Sequence, residues 1–421
     1  MASVSAPQPI SAPDPQDSGT ETSDRFRAKR DRILDAAAQI INEKGLRGLT
    51  FVSVAELVEM NTTSITYYFK RKELLAAATL ERSIEDMLDA VTRSAREATP
   101  EARVSRLVRI VLDNIAEERT GTRPARARLS DMRALNEELR DELGVQYMNM
   151  FRQVVDFFDV PRGDKGREIA WARTHVLLDT LHWCRIWISK YSVGDYDRVH
   201  ARLMELYRYG YATDDAQWAP ATLDVQDIDD STDEINRETY LRAATVTINE
   251  RGYRGASVER IAAFLNVSKG SFYHHLDGKD DLVLDCFDRS YGRVSRVQRA
   301  AMALPGTWWD RLSAATATLT EVQFDSRVPL LRITALTALP REMRGPILRR
   351  SDRMAQRFAG MMIDGITEGS IRPIDPLIAS QCLVSSLNSA FDFRRWAEHR
   401  SDPETAIRLY SQPLAFGLFG R

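Results

Sequence analysis

Asn61-Thr62-Thr63-Ser64-Ile65-Thr66-Tyr67-Tyr68-Phe69 and Ser268-Lys269-Gly270-Ser271-Phe272-Tyr273-His274-His275-Leu276 are two spellings of one short helix. In each, a side chain able to cap a helix comes first, Asn61 or Ser268. Small or hydrogen-bonding residues follow, and one apolar residue, Ile65 or Phe272, stands a turn in as an anchor. A second short helix precedes each segment: Thr50 and Ser257 are placed to cap it, and Val54-Ala55 and Ile261-Ala262 give it an inner face. Further back, Ile33, Leu34, Ala37, Ile40 and Ile41 fall on one apolar helix face that Gly45 is expected to stop; Leu241, Ala244, Ile248 and Gly252 repeat the arrangement. The pattern predicts three short helices with a tight turn before the last, written twice.

Laying Gly45 on Gly252 sets an offset of 207 residues, and the match runs without a gap. From Arg30/Arg237 to Leu75/Leu282, 14 of 46 aligned positions are identical, where chance gives roughly three, so the domain is duplicated. The period is far longer than a solenoid repeat, so each copy needs a core of its own. Beyond Leu75 and Leu282 come long amphipathic stretches with few strand signals, and the predicted fold class is all-α. The expected layout is a disordered leader over 1–24, a first three-helix head over 25–78 and a first helical domain over 79–211. An acidic linker over 212–234 follows, then a second head over 235–285 and a second helical domain over 286–421. The linker reading rests on its run of aspartates and its lack of helical period.

The 421 residues are 43% hydrophobic and 28% charged, a soluble globular composition with length for several domains. A net charge of -2 argues against coating nucleic acid over the whole surface, but not against one local basic face. Two such stretches occur, Arg25, Arg27, Lys29, Arg30 and Arg32, and then Lys70, Arg71 and Lys72; the plainer reading is a solvated helix face. Cys184, Cys286 and Cys382 are too far apart for a disulfide framework or zinc knuckle, and a reducing cytoplasm is expected. The leader has no signal-peptide core and no long apolar run follows, so no membrane span is expected.

The second segment with its flanks, from Ser257 through Leu276 to Lys279, strongly resembles the DNA-binding segment of the TetR family; Thr50 to Phe69 and Lys72 give a looser version. The resemblance covers about a quarter of the chain and implies a helix-turn-helix regulator of transcription. A recognition helix exposes small and hydrogen-bonding side chains to the major groove while an apolar residue holds it to the scaffold. The implied DNA contacts are Lys269, Gly270, Ser271, Tyr273 and His274 in the second head, and Thr62, Thr63, Ser64, Thr66 and Tyr67 in the first. His275 and Lys279, with Tyr68 and Lys72, are implied to hold phosphates. Each has a plainer reading: the aromatic run is packing, the lysines are surface lysines, and His274-His275 point about 100° apart with no further ligand at metal spacing. Thr66 and Thr63 depart from the Tyr and Gly common in the family. That departure leaves a second reading, in which only the second head binds DNA and the first unit serves for dimerisation.

The family resemblance also implies a small-molecule cavity in each helical domain, followed by two long helices that pair with a partner subunit. Here these are 168–191 with 195–211, and 376–399 with 403–419, so the two halves of one chain are expected to form a pseudo-dimer. Met148, Phe151, His182, Trp183, Trp187, Phe324 and Met361 are candidate lining for a small, largely apolar effector, although most such residues on helices are plain core. An enzyme is the contrasting class. No glycine-rich nucleotide loop, phosphate loop, nucleophile elbow or His-Glu-x-x-His pair is present, and no cofactor or metal is expected. The expected partner is double-stranded operator DNA.

Overall fold

The computed structural model of the chain describes residues 20–161, 163–223, 236–270, 279–325, 329–332, 335–336, 339, 341–399 and 402–420. Among them there is no strand, only an isolated antiparallel bridge between Ala212 and Ile371, and the fold is all-α. The chain divides into two compact units, Met1–Asp89 with Thr120–Met150, and Ala90–Arg119 with Phe151–Arg421.

The first unit holds the first head: α1 (Thr20–Gly48), α2 (Phe51–Val58), α3 (Thr62–Tyr68) and the start of α4 (Lys72–Ser94). Regular geometry in α1 ends at Gly45, whose φ of 62° suits a residue without Cβ, and the helical bonding runs on to Gly48 past this kink. Helix α1 begins at Thr20, within the 1–24 stretch expected to be the leader, whose residues 1–19 lie outside the described residues. Ile33, Leu34, Ile40, Val54, Ile65 and Leu75 form one core with Leu143, which lies on α6 (Glu137–Val155).

Two polar ties bind α1 to the segment after α5 (Pro100–Thr120). Asn42 donates from Nδ2 to the Arg126 carbonyl at 2.8 Å and accepts from the Arg128 amide at 3.1 Å. Asp35 pairs with Arg82 at 2.6 Å and Arg126 at 3.3 Å, while Asp86 takes Arg126 at 2.5 Å and Arg123.

The second unit contains α7 (Asp164–Trp187), α8 (Tyr196–Tyr209) and the whole second copy: α9 (Arg237–Gly255), α10 (Val258–Phe264), α11 (Lys279–Met302), α12 (Trp308–Phe324), α13 (Arg341–Glu368), α14 (Pro376–Glu398) and α15 (Pro403–Ala415). The Asn42 tie recurs 207 residues on. Buried Asn249 donates to the Leu330 carbonyl at 2.8 Å and accepts from the Arg332 amide at 3.0 Å.

In this unit α7 and α8 pack on α14 and α15. Trp183 Nε1 donates to Ser389 Oγ at 3.0 Å, the His175 ring stacks on Phe393 at 4.6 Å, and the Leu418 amide donates to the Tyr207 carbonyl at 2.6 Å. Leu177, Leu181, Cys184, Leu203 and Tyr207 on one side, and Cys382, Leu383, Ala390 and Leu414 on the other, are almost wholly buried.

The start of the acidic linker is not free coil. The Ala212 amide donates to the Ala415 carbonyl at 2.8 Å, Trp309 Nε1 donates to the Gln217 carbonyl at 3.0 Å, and the Trp218 and Trp309 rings meet edge to face at 6.1 Å. Residues 224–234 of the linker lie outside the described residues. Among the described residues no helix is long and apolar enough to cross a membrane, and no group of three or more His, Cys, Asp or Glu could hold a metal ion.

Candidate DNA-binding heads

The turn between α2 and α3 is made by Glu59, a non-glycine residue in the left-handed region at φ 54°; the Met60 amide then reaches back to the Ala55 carbonyl at 3.0 Å. Asn266 repeats this at φ 55°, with the Val267 amide on the Ala262 carbonyl at 2.9 Å, each residue 207 positions later. The caps stand in register as well. Thr50 forms a capping box with Ser53, and Ser257 accepts from the Arg260 amide. Both heads therefore share the left-handed residue that aims the next helix, which composition alone does not reveal.

Asn61 caps α3, accepting from the Ser64 amide and hydroxyl, both at 2.7 Å, and Ile65, fully buried, fastens the helix to the core. Thr62, Thr63 and Tyr67 are exposed on the outer face. Ser64 and Thr66, expected to be exposed readers, are half-buried. Ser64 spends its hydroxyl on the Asn61 cap, and Thr66 donates to the Thr63 carbonyl at 2.9 Å, because short hydroxyl side chains on a helix find local backbone and cap partners first.

Tyr68 is half-buried, its ring 4.7 Å from Phe26, and burial with the neighbouring Tyr67 pushes its hydroxyl above the usual tyrosine range. Phe26 also meets Tyr67 at 6.2 Å. This aromatic trio ties the start of α1 to the end of α3, so exposed Arg25, Arg27 and Lys29 share that end of the head with Tyr67. Exposed Lys70, Arg71 and Lys72 follow immediately, Lys72 opening α4. The basic α1 stretch was visible in sequence as charge, but its nearness to α3 depends on Phe26, which no spacing rule picks out.

In the second head Lys269 and Gly270 are exposed and helical, and Lys269 Nζ pairs with Glu259 on α10 at 2.5 Å. That lysine, with further hydrogen bonds from Ser257 and from the Glu259 backbone, holds the Glu259 carboxyl down at about 2. Ser271, Tyr273, His274 and His275 lie outside the described residues; Lys279 opens α11, with its side chain also outside them.

Of the candidate effector-lining residues, Trp183 and Trp187 border a cavity in the second unit. His182 sits edge-on to Trp183 at 5.6 Å, Phe151 packs on Trp171 at 5.1 Å, and Phe324 meets Tyr410 edge-on at 5.5 Å. Met361 is buried in the second copy and Met148 is half-buried on α6.

The family described as "Bacterial regulatory proteins, tetR family" matches this chain twice, over residues 33–79 and 241–286, and "Tetracyclin repressor-like, C-terminal domain" matches 305–395. Among curated relatives, the HTH-type transcriptional regulator BetI of Paraburkholderia phytofirmans is 33% identical over 92 residues, which is 22% of this chain and 47% of BetI. BetI of Burkholderia cenocepacia is 35% identical over 86 residues, 20% of this chain and 44% of BetI. The chain thus spans about half the length of the curated relatives it matches. Among solved structures, the TetR family transcriptional regulator PfmR of Thermus thermophilus aligns at 21% identity and a TM-score of 0.36, covering 43% of this chain and 99% of PfmR. The head is thus matched in both copies and the C-terminal domain after the second, so the DNA-binding head described for the TetR family is present in this chain in tandem.

Proposed function

We propose that the chain is a transcription regulator, most simply a repressor, that binds double-stranded operator DNA through both heads and responds to a small-molecule effector. The observation that carries this is the outer face of α3. Thr62, Thr63 and Tyr67 stand exposed on a helix held by buried Ile65, with exposed basic residues on either side, Arg25, Arg27 and Lys29 before and Lys70, Arg71 and Lys72 after. Small hydrogen-bonding groups suit base edges and flanking cations suit phosphates. A cytoplasmic protein working at the nucleoid fits this reading.

The halves of one chain are proposed to act as a pseudo-dimer. Support comes from a reciprocal contact: a Cβ on Gly210 would run into the Ala415 carbonyl, and one on Gly417 into the Arg208 carbonyl. Gly417 and Ala415 lie 207 residues after Gly210 and Arg208, so the repeat offset exchanges the two contacts, as a two-fold interface does. The narrower reading, with only the second head on DNA, draws on the internal use of the Ser64 and Thr66 hydroxyls.

A salt titration of binding to a selected duplex tests the proposal. A multi-phosphate footprint gives a steep loss of affinity with salt, and Lys72→Ala is expected to weaken binding to all sequences and lower the slope by about one. A flat salt dependence of the intact protein overturns the DNA-binding reading; a Lys72→Ala variant with unchanged slope supports the narrower one.

A further inference from the structure

In the second unit a cavity of about 150 Å³ lies where α7 meets α13 and α14. Trp183 and Trp187 come from α7, Leu348 and Asp352 from α13, and Gln381 and Asn388 from α14. The first helix belongs to the first copy of the duplicated domain and the other two to the second, so neither copy closes the cavity alone. The repeat offset places Ala390 and Arg394 at the positions reciprocal to Trp183 and Trp187, so a mirrored cavity would have neither indole.

The lining specifies a chemistry. Trp183 has its indole N–H satisfied by Ser389, whereas Trp187, 3% exposed, has an Nε1 with no hydrogen-bond partner. An indole N–H only donates, and a buried donor left unpaired is costly, so this position calls for an acceptor. The charges in the lining are already matched: Lys190 Nζ and Asp352 Oδ1 pair at 2.6 Å, both side chains about four-tenths exposed. Two indoles offer flat apolar surface, and Gln381 and Asn388 offer neutral amides. The cavity is below the roughly 300–1,000 Å³ of sites for drug-sized ligands, which limits the occupant to about one ring system.

Trp183 also belongs to the contiguous core that contains Tyr240, Leu241 and Ile248 of α9 and Val258 and Ile261 of α10. A ligand that shifts Trp183 therefore acts on the packing beneath the second head. We propose that this cavity, assembled from both copies, is an effector site for a neutral, planar, carbonyl-bearing small molecule whose carbonyl accepts from Trp187 Nε1. The inference rests on the regulator reading for its consequence. A ligand gains control of DNA affinity only by binding two states of the protein unequally, and the shared core supplies a route to the second head.

The test titrates the full-length protein with benzamide, nicotinamide and 2-quinolone beside benzoate and benzylammonium, reading tryptophan fluorescence, melting temperature and affinity for a selected duplex. At least one neutral amide is expected to bind, raise the melting temperature and change DNA affinity, with the charged rings at least tenfold weaker. Trp187→Phe keeps the ring and loses the donor, and is expected to weaken binding roughly five- to tenfold. Ser385→Trp fills the cavity and is expected to abolish it; if that variant does not fold, Trp187→Phe decides.

No binding of any neutral amide, tighter binding of a charged ring, an unchanged affinity in Trp187→Phe, or binding that leaves DNA affinity untouched each overturns the proposal. The same titration without probe separates the two readings. Salt-sensitive DNA binding alongside failed probes removes this site alone, whereas no DNA binding removes the regulator reading.

Discussion

At the scale of single residues, Lys269, proposed to contact DNA, is paired with Glu259 of its own head. Lys269 must leave Glu259 before it can reach a guanine edge or a phosphate, and both side chains are more than half exposed, so the pair itself contributes little to stability. Glu259→Gln is accordingly expected to leave the melting temperature nearly unchanged and to tighten DNA binding several-fold at low salt, with a steeper salt slope; an anisotropy titration that returns wild-type affinity and slope would place Lys269 away from DNA. His175 is a different case, enclosed on the seam between α7 and α14. Burial works against its charged form, but Asp179 at 2.9 Å on its own helix, Asp392 across the seam and the Ser389 carbonyl outweigh that and push its pKa above the usual histidine value. Phe393 and Tyr410 cover the ring, and Arg332 pairs with Asp392. Because the folded pKa is raised, the stabilisation is complete below the unfolded value of about 6.5 and is lost as pH rises through the folded one. Melting temperature is therefore expected to fall as pH is raised from about 6.5, and His175→Gln to remove part of that fall; an identical pH profile in the variant would dismiss His175 as its source.

Elements show where sequence reading reached and where it stopped. The caps Thr50, Asn61 and Ser257 and the anchor Ile65 were legible because a cap and an apolar period are local patterns, each set by residues three or four apart. The left-handed turn residue was not, since Glu59 carries no glycine signal and Asn266 only a weak one. Nor was the Asn42 tie, whose partners stand 84 and 86 residues away, although Asn42 and Asn249 were visible as one of the repeat's identities. In the sequence Gly210 and Gly417 show only that they stand one repeat offset, 207 residues, apart. The structure adds that both have positive φ, 68° and 88°, and that each approaches a backbone carbonyl across the seam. Alanine at either position meets two penalties, left-handed strain of about 1–3 kcal/mol and a clash with backbone that cannot step aside. Gly121, at φ 78° and with no atom within 4 Å of the place an added methyl would take, isolates the first penalty alone. Gly210→Ala and Gly417→Ala are thus expected to lower stability clearly more than Gly121→Ala in denaturant unfolding, and equal losses in all three would mean the seam has room to give.

For the whole molecule, the question is how many chains make one working unit. An ordinary member of the family pairs its last two helices with those of a second subunit, and its two identical heads then read the halves of a palindrome. Here α7 and α8 already cover α14 and α15 within one chain, and the buried leucines, alanines and cysteines of both sides leave little of that face for another copy. A homodimer through the same surface would have to open this core first, exposing several apolar side chains at about 1.5–3 kcal/mol each. A single chain in solution, with two heads, is the expected species. Its heads differ in sequence at the positions proposed to meet DNA: Thr62 stands against Lys269, Thr63 against Gly270, Thr66 against Tyr273 and Tyr67 against His274. A lysine donates readily to guanine, while a threonine suits a thymine methyl or a single hydrogen bond, so equal half-sites would satisfy one head and not the other. The expected operator is an imperfect repeat with half-sites about one helical turn apart, roughly 34–36 Å. Light scattering on the free protein and its complex, with hydroxyl-radical footprinting on a selected duplex, measures both parts of this. One chain per site and unequal half-sites are the expected result. A stable two-chain species carrying four heads would overturn the pseudo-dimer, and selection of a perfect palindrome would overturn the division of labour between the heads.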